Sequence, residues 1–284
     1  MGLAAPDFVA IGHVTLDSFG GPARPGGSAL YAAIAAARAG LSAGILTSHG
    51  DDFPLDRVPS RIEVVGVASP TTTTFEHRET TQGRVLQVVA TASPLTMSDV
   101  PEDWRDAALV LLAPVLQEVD PLLATAFTEG TVAAAAQGWL REVDHEGLVG
   151  ARAWTPETLL TRLQALFLSA EDVRGQEALV TEWVQRVPLA VVTAGQAGAL
   201  LFVNGERYEV RPRRVREVDA TGAGDVFAAT FLMAYHRGGD PWEAAEEATC
   251  AAALSVEGEG WSAVPDRAGL EAALAAYRSA GELP

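Results

Sequence analysis

Apolar and polar positions alternate along the chain in blocks that predict strands separated by helices. The first apolar block, Phe8–Ile11, is short and ends at Gly12, so it predicts a buried strand. Ser28–Ala39 is rich in alanine and has helical length, with Ser28 as its predicted N-cap and Gly40 at its end. Alternation of this kind along most of a chain is typical of helices packed around a largely parallel sheet.

The same pattern predicts the other elements of this α/β body. The predicted strands cover residues 42–47, 62–65, 108–112, 131–136, 166–168 and 189–193. The predicted helices cover residues 121–127, 156–163, 177–186, 222–237, 241–256 and 266–279. Asn204-Gly205 lies between residues 199–203 and 207–210 and predicts a tight hairpin.

Residues 71–90 interrupt the alternation. Two β-rich runs, 71–78 and 84–89, are joined by a short turn that contains Gly83, and no helical pattern lies between them. They predict a small antiparallel element that projects from the body. We therefore predict one α/β domain over residues 1–284, with a β lid around residues 71–90.

Composition and charge limit the possible partners. The 284-residue chain is 48% hydrophobic and 20% charged, which is typical of a soluble globular protein. It has 20 Lys and Arg residues against 37 Asp and Glu, so the net charge is −17. This acidity disfavours nucleic acid and anionic membranes, because both are bound through clustered basic residues. With Cys250 as the one cysteine, neither an internal disulfide nor a zinc site is expected.

Targeting segments are not apparent either. The first ten residues lack the basic start of a secretory leader. Apolar stretches fall short of the roughly 20 residues that cross a bilayer. We therefore expect a cytoplasmic protein that does not bind membranes.

Residues 218–229 carry the clearest chemical pattern. Gly222 and Gly224 allow a tight turn at the start of an apolar helix, where free amides and the helix dipole bind anions. Asp225 lies in the same place, although a carboxylate repels phosphate. Its presence is explained if it accepts a proton from a hydroxyl that attacks a phosphoryl group. The alternative is that the glycines only shape a turn and Asp225 complements the helix dipole.

This segment resembles the Asp-Thr-x-Gly-Ala-Gly-Asp motif of the ribokinase-like (PfkB) carbohydrate kinases, with Ala220 at the second place. Four other segments resemble further parts of that family, in family order and over almost the whole chain: residues 12–17, 25–29, 192–199 and 248–260. The resemblance implies a three-layer α/β/α sandwich with a largely parallel sheet and a small β lid. Neither a P-loop nor a dinucleotide-binding fingerprint is present in the sequence.

Site roles follow from the resemblance by position. It implies that Asp225 is the catalytic base and that the amides of Gly222, Ala223 and Gly224 form an anion hole. The implied acceptor-binding residues are Asp17, Gly26, Gly27, Ser28 and Arg141. The implied nucleotide-binding residues are Thr193, Gly195, Gly198, Thr221, Thr249, Ala252 and Gly258.

The resemblance also implies ATP and Mg²⁺ as cofactors and a homodimer formed through the lid. Asp219 and Thr221 match positions that hold a monovalent cation such as K⁺ in some members. Where the family usually has Asn-x-x-Glu near the metal, this chain has Ser169 and Asp172. Asp172 keeps the charge on a shorter arm, so metal handling through an altered water shell is one interpretation. The other is a helix N-cap at Ser169 with Asp172 at its third position.

The acceptor is left open by the sequence. Sugar-specific members have an asparagine after the two glycines, whereas this chain has Ser28, Ala29, Leu30 and Tyr31. Residues 12–17, 71–75 and 137–141 resemble the inositol-kinase-like branch, in which Arg141 could face an acceptor or phosphate; a solvated arginine is the alternative. A basic cluster could attract nucleotide phosphates or simply face solvent: Arg207, Arg211, Arg213, Arg214 and Arg216.

Three functions are consistent with these observations. The first is an ATP-dependent kinase that phosphorylates a hydroxyl of a small polyol, sugar or nucleoside. The second is a ligand-binding protein on a kinase scaffold that has lost transfer activity, which the altered pair Ser169 and Asp172 motivates. The third is a kinase restricted to nucleosides.

Overall fold

The computed structural model describes residues 5–80, 83–156 and 158–281. In chain order the strands are β1 (Phe8–Ile11), β2 (Thr15–Ser18), β3 (Arg24–Gly26), β4 (Ala43–His49), β5 (Ile62–Ala68), β6 (Thr73–Thr80), β7 (Gly83–Ala90), β8 (Leu109–Leu112), β9 (Thr131–Ala135), β10 (Arg141–Val143), β11 (Val149–Ala151), β12 (Ala165–Ser169), β13 (Leu189–Thr193), β14 (Ala199–Val203) and β15 (Glu206–Val210). The α-helices are α1 (Ser28–Ala39), α2 (Glu177–Val184), α3 (Ala223–Gly238), α4 (Pro241–Ser255) and α5 (Arg267–Gly281). Within these ranges, helices lack the combination of length and apolar character that a bilayer crossing demands.

The body sheet has the strand order β15-β14-β13-β12-β9-β8-β1-β4-β5. Every neighbouring pair from β5 to β13 is parallel. The last three strands form antiparallel pairs, and Asn204 and Gly205 turn between β14 and β15 with positive φ angles of 50° and 81°. The predicted largely parallel sheet and its tight hairpin are therefore confirmed.

Both faces of this sheet are covered. Phe8 and Ala10 of β1 pack into one core together with α1, α3 and α4. Val9 and Ile11 pack into a second core that includes α2 and several 3₁₀ turns. Because successive strand residues point to opposite faces, this arrangement gives the three-layer α/β/α sandwich expected from the sequence.

The lid is a four-stranded sheet with the order β3-β2-β6-β7. The sequence predicted only the hairpin of β6 and β7, whose turn at residues 81–82 lies outside the described residues. Strand β2 lies parallel to β6 and antiparallel to β3. These two strands were missed because four and three residues are too short to show a period of two.

Several local predictions were wrong. The predicted helix over residues 156–163 is a 3₁₀ turn at Leu160–Arg162, and the one over residues 121–127 is a 3₁₀ helix, Pro121–Ala126. Helix α1 begins after Gly27, whose φ of 103° suits glycine, so Ser28 is its first residue and not its N-cap. No helix begins at Ser169 in the described chain, since residues 170–175 form turns. The hairpin of β10 and β11 was not predicted.

Candidate active site

The turn that opens α3 presents free amide groups. Its N-cap, Gly222, has a φ of 78° in the left-handed region. The amide of Ala223 donates to the carbonyl of Ala220 at 3.2 Å, and that of Val226 donates to the Gly222 carbonyl at 2.9 Å. The amides of Gly224 and Asp225 fall in the first helical turn; among the described residues they have no backbone acceptor, and no side chain caps this helix.

These two amides, at the positive end of the helix dipole, form a position suited to an anion. Of the three amides that the resemblance assigns to the anion hole, that of Ala223 already donates within the turn. Gly222, with its positive φ angle, allows the backbone turn that precedes these amides. A Cβ atom on Gly224 would meet no atom within 4 Å, so the space beside its amide is open.

Asp225 lies on the first turn of α3 and is bound to the start of α1. The Ser28 hydroxyl donates a hydrogen bond to its carboxylate. Burial raises the pKa of Asp225 to about 6, against the lowering effects of Ser28 and the Arg141 charge. A carboxylate with such a pKa is ionised near neutral pH and remains basic enough to accept a proton.

Arg141 lies in the middle of an acidic group. It begins β10, donates from Nη1 to the Val115 carbonyl at 3.2 Å, and interacts with the charges of Asp172 and Asp225. Burial lowers the pKa of this guanidinium, an effect that the nearby carboxylates oppose. Arg141 is half-buried and lies close to these carboxylates, which favours a role in the site over the alternative of a solvated arginine.

Asp17 is supplied by the lid and not by the body. It lies on β2 with 8% of its surface exposed, and the Thr15 hydroxyl donates to its carboxylate at 3.1 Å. A Cβ atom on Gly26 would overlap Asp17 Oδ2, so the glycine lets the backbone approach this carboxylate. Gly27 follows directly and is the N-cap of α1.

Ser169 is the last residue of β12, and Asp172 follows it close to the charge of Arg141. The Ser169 hydroxyl accepts a hydrogen bond from the Glu171 amide at 3.1 Å. Burial raises the pKa of Asp172, opposed by the charge of Arg141 and a hydrogen bond from Gln137. Among the described residues, no cluster of three His, Cys, Asp or Glu side chains could hold a metal ion. The described residues therefore offer fewer than three such side chains at any one point, a donor set that fits Mg²⁺ only when phosphate oxygens and water complete its shell.

Asp219 organises the turn before the glycines. Its carboxylate accepts from the amides of Thr221 and Gly260, each at 3.0 Å, and lies 3.7 Å from the guanidinium of Arg24. Burial raises the pKa of Asp219, but the hydrogen bonds and the Arg24 charge outweigh it and lower the pKa overall. Asp219 thus ties the lid strand β3 to the loop that ends α4.

A cavity of about 450 Å³ lies beside the free amides. Its wall includes Ala220, Ala223, Gly224 and Phe227. Five of the residues predicted to bind nucleotide also line it: Thr193, Gly195, Gly198, Thr249 and Ala252. The remaining two, Thr221 and Gly258, are not in its wall; a Cβ atom on Gly258 would contact Ala263 at 2.9 Å, so this glycine serves the turn that closes after α4.

A larger cavity, about 540 Å³, lies between α1, α3, α4 and α5. Its floor is apolar, and its rim includes the ion pair of Arg237 and Glu247. Within the described chain, none of the predicted site residues lines it. The smaller cavity is the one that adjoins the chemistry.

The sequence did not identify three residues of the site. Gln137 binds Asp172, and Tyr31 packs against the turn at Gly222. Glu118, 4% exposed, accepts from the amides of His13, Val115 and Leu116. Gln137 is the first residue of the segment that resembles the inositol-kinase-like branch, which was a usable signal; no pattern in the sequence marks Glu118.

Comparison with known proteins identifies the family that this chain resembles. The family described as pfkB family carbohydrate kinase matches residues 151–267. A cytidine kinase of Thermococcus kodakarensis is 27% identical over 82% of this chain and 89% of its own. An inositol 3-kinase of Oryza sativa subsp. japonica is 31% identical over 69% of this chain and 53% of its own length.

The chain belongs to the pfkB family of carbohydrate kinases.

The fold of this pfkB kinase is also found among solved structures. A pyrophosphate-dependent myo-inositol kinase has a TM-score of 0.78, with 22% identity over 95% of this chain and 98% of the other. At that identity the likeness concerns the fold. In this pfkB kinase the family motif therefore lies where the geometry places a carboxylate, free amides and a cavity together.

Proposed function

We propose that this pfkB kinase transfers the γ-phosphoryl group of ATP to a hydroxyl of a small polyol, sugar or nucleoside. The observation that carries the proposal is the placement of Asp225 on the first turn of α3, next to amides that border a cavity of about 450 Å³. A proton acceptor and an anion-binding position in adjacent residues suit in-line phosphoryl transfer.

Asp225 acts as the general base. It accepts the proton of the acceptor hydroxyl while that oxygen attacks the γ-phosphorus, and the bond from phosphorus to the bridging oxygen of ADP breaks. The amides of Gly224 and Asp225 donate to the transferred group as its charge develops. The hydrogen bond from Ser28 orients the carboxylate.

The acceptor lies between the lid and the start of α1. Asp17 accepts hydrogen bonds from its hydroxyls, and the backbone of Gly26 and Gly27 approaches it closely. Arg141 offers donors to a hydroxyl or to the transferred phosphate, a role that its burial among Asp17, Asp172 and Asp225 supports.

The donor occupies the cavity beside Gly224. Phe227, Ala252 and Val256 provide an apolar slot suited to a base, while Thr193 and Gly195 lie at the end of β13. The slot favours a nucleotide over pyrophosphate, the donor named for the inositol kinase of similar fold. Mg²⁺ neutralises charge on the donor phosphates when bound, and Asp172, with Ser169, is the residue that would hold it through water.

Asp219 and Thr221 define the proposed position for a monovalent cation such as K⁺. The outer side of the lid, where Val89 is 62% exposed, is proposed to pair with a second copy of the chain. Because the lid strands leave and re-enter the body, we also propose that lid and body form one domain. Sedimentation equilibrium tests the pairing: a monomer at every concentration would contradict it.

Donor consumption with a panel of acceptors tests the proposed activity. The panel contains myo-inositol, ribose, fructose, cytidine and adenosine, each with Mg²⁺ and either ATP or pyrophosphate. With ATP, we expect ADP formation that depends on Mg²⁺ and on one acceptor class. With pyrophosphate as the donor, we expect the pyrophosphate to remain unconsumed. Thermal stabilisation by an acceptor without turnover in any arm would instead support the ligand-binding alternative.

A further inference from the structure

In the described part of the chain, the backbone passes between body and lid four times, and all four passages meet at His13. His13 itself lies between β1 and β2. Its Nδ1 is 2.7 Å from Thr73 Oγ1, at the start of β6, and its Nε2 is 2.8 Å from the Ser93 carbonyl, after β7. A Cβ atom on Gly27, between β3 and α1, would overlap the His13 carbonyl oxygen.

The hydrogen bonds around the imidazole have one consistent direction. A carbonyl can only accept, so Nε2 carries a hydrogen and donates it to Ser93. The Thr73 hydroxyl accepts from the Ala92 amide at 2.9 Å and donates to Nδ1. Both ring nitrogens therefore have hydrogen-bond partners, and the ring is fully buried.

The backbone on either side of this ring is held by the body. The amide of His13 donates to Glu118 Oε1 at 3.0 Å, and that of Val14 donates to Thr47 Oγ1 of β4 at 2.8 Å. His13 is therefore fixed by its backbone to the body and by its side chain to the lid. A change in the ring alters the connection between the two without touching either sheet.

The lid carries Asp17 in register with these contacts. Strand β2 pairs with β6 so that Thr15 lies opposite Thr73 and Asp17 lies opposite Phe75. We propose that His13 is a positioning residue that sets the angle of the lid on the body and, through β2 and β6, the position of Asp17 relative to Asp225. Its kinetic consequence rests on the proposed function, whereas its effect on the lid does not.

Two variants remove the connection at different atoms. His13→Ala deletes the ring, and Thr73→Val deletes the hydroxyl while keeping the side-chain shape. Thr73→Ser keeps the hydroxyl and is the conservative rescue. Leu123→Ala is the matched control, since this fully buried residue lies in the core on the α2 face and destabilises the body without reaching the lid.

Hydrogen–deuterium exchange of the full chain is the first measurement, made where each variant is folded by circular dichroism. We expect His13→Ala and Thr73→Val to speed exchange in β6 and in the backbone of β2, with β8 and β9 unchanged. Thr73→Ser should restore the slow exchange, and Leu123→Ala should speed β8 and β9 instead. Unchanged exchange in β2 and β6, or equal acceleration everywhere, would overturn the proposal whether or not the protein is an active kinase.

Steady-state kinetics with the acceptor that the panel identifies is the second measurement. Displacement of Asp17 should raise the KM for the acceptor about tenfold or more, because small misplacements of binding groups are costly. The KM for the donor should stay within about twofold, since the donor cavity is formed by the body. Faster lid exchange together with an unchanged KM for the acceptor would refute the effect on Asp17. Faster lid exchange in a protein that phosphorylates no acceptor of the panel would refute the proposed function alone.

Discussion

The ring of Tyr31 on α1 fills the space where a side chain at Gly222 would project. A Cβ atom there would overlap Cδ1, Cγ and Cε1 of the ring. Tyr31 is buried, and its ring also faces Trp261 edge-on at 6.2 Å between centroids. Helix α1 thus packs directly against the turn that carries the free amides.

This contact predicts different outcomes for the two glycines of the motif. Gly222→Ala should lower the free energy of unfolding by about 1 to 3 kcal/mol, because the residue has positive φ and the methyl group meets the ring. Gly224→Ala has open space and should leave stability nearly unchanged, yet weaken donor binding by placing a methyl group beside the free amides. Urea denaturation and donor titration of both variants check this. Equal stability losses would show that Tyr31 does not select glycine at 222.

Asp225→Asn should reduce kcat by about 10² to 10⁴, the usual contribution of a general base, with donor affinity largely retained. It should also raise stability at neutral pH. The pKa of Asp225 rises from 3.8 to about 6 on folding, so its ionisation destabilises the folded state as pH increases through that interval. The gain in the free energy of unfolding of Asp225→Asn over the parent protein should be complete above about pH 6 and absent below pH 3.8. Urea denaturation of both proteins at pH 3.5 and pH 8 measures it. Turnover near that of the parent protein would disprove the base assignment.

The pH profile should depend on Ser28. We expect kcat/KM to fall on the acid side with an apparent pKa near 6, as Asp225 becomes protonated. The Ser28 hydroxyl stabilises the ionised carboxylate, so Ser28→Ala should move this limb to higher pH. Ser28→Thr keeps a hydroxyl and serves as the control. A limb that moves to lower pH in Ser28→Ala would contradict the hydrogen bond.

Arg213 separates the two interpretations of the basic cluster. It lines the cavity of about 450 Å³ beside Gly224; its Nη1 is buried, has no hydrogen-bond partner among the described residues, and lies 3.7 Å from the Glu257 carboxylate. Arg213→Gln should raise the KM for the donor about tenfold, since a bound donor supplies the missing acceptor to a charged group. Arg207 pairs with Glu209 on exposed β15, so Arg207→Gln is the control and should leave that KM unchanged. Equal effects of both changes would indicate that only net charge matters.

Local signals account for the parts of the fold that the sequence predicted well. Phe8–Ile11 and Leu189–Thr193 are continuous apolar runs, because a parallel strand covered on both faces needs apolar residues at every position. Asn204-Gly205 predicts its hairpin because both residues tolerate positive φ. The predictions failed for residues 156–163 and for β2 and β3. These segments are short, and their conformation is set by neighbours distant in sequence.

The same division holds for the site. Residues 218–229 determined by themselves that a glycine turn, free amides and a carboxylate open one helix, since all of these lie within a single helical turn. Only the tertiary structure decided which amides remain free, that Arg141 lies close to carboxylates, and that His13 joins lid to body. Those properties depend on burial and on atoms brought together from across the chain, and hydrogen-bond partners 60 and 80 residues apart leave no pattern in a linear sequence.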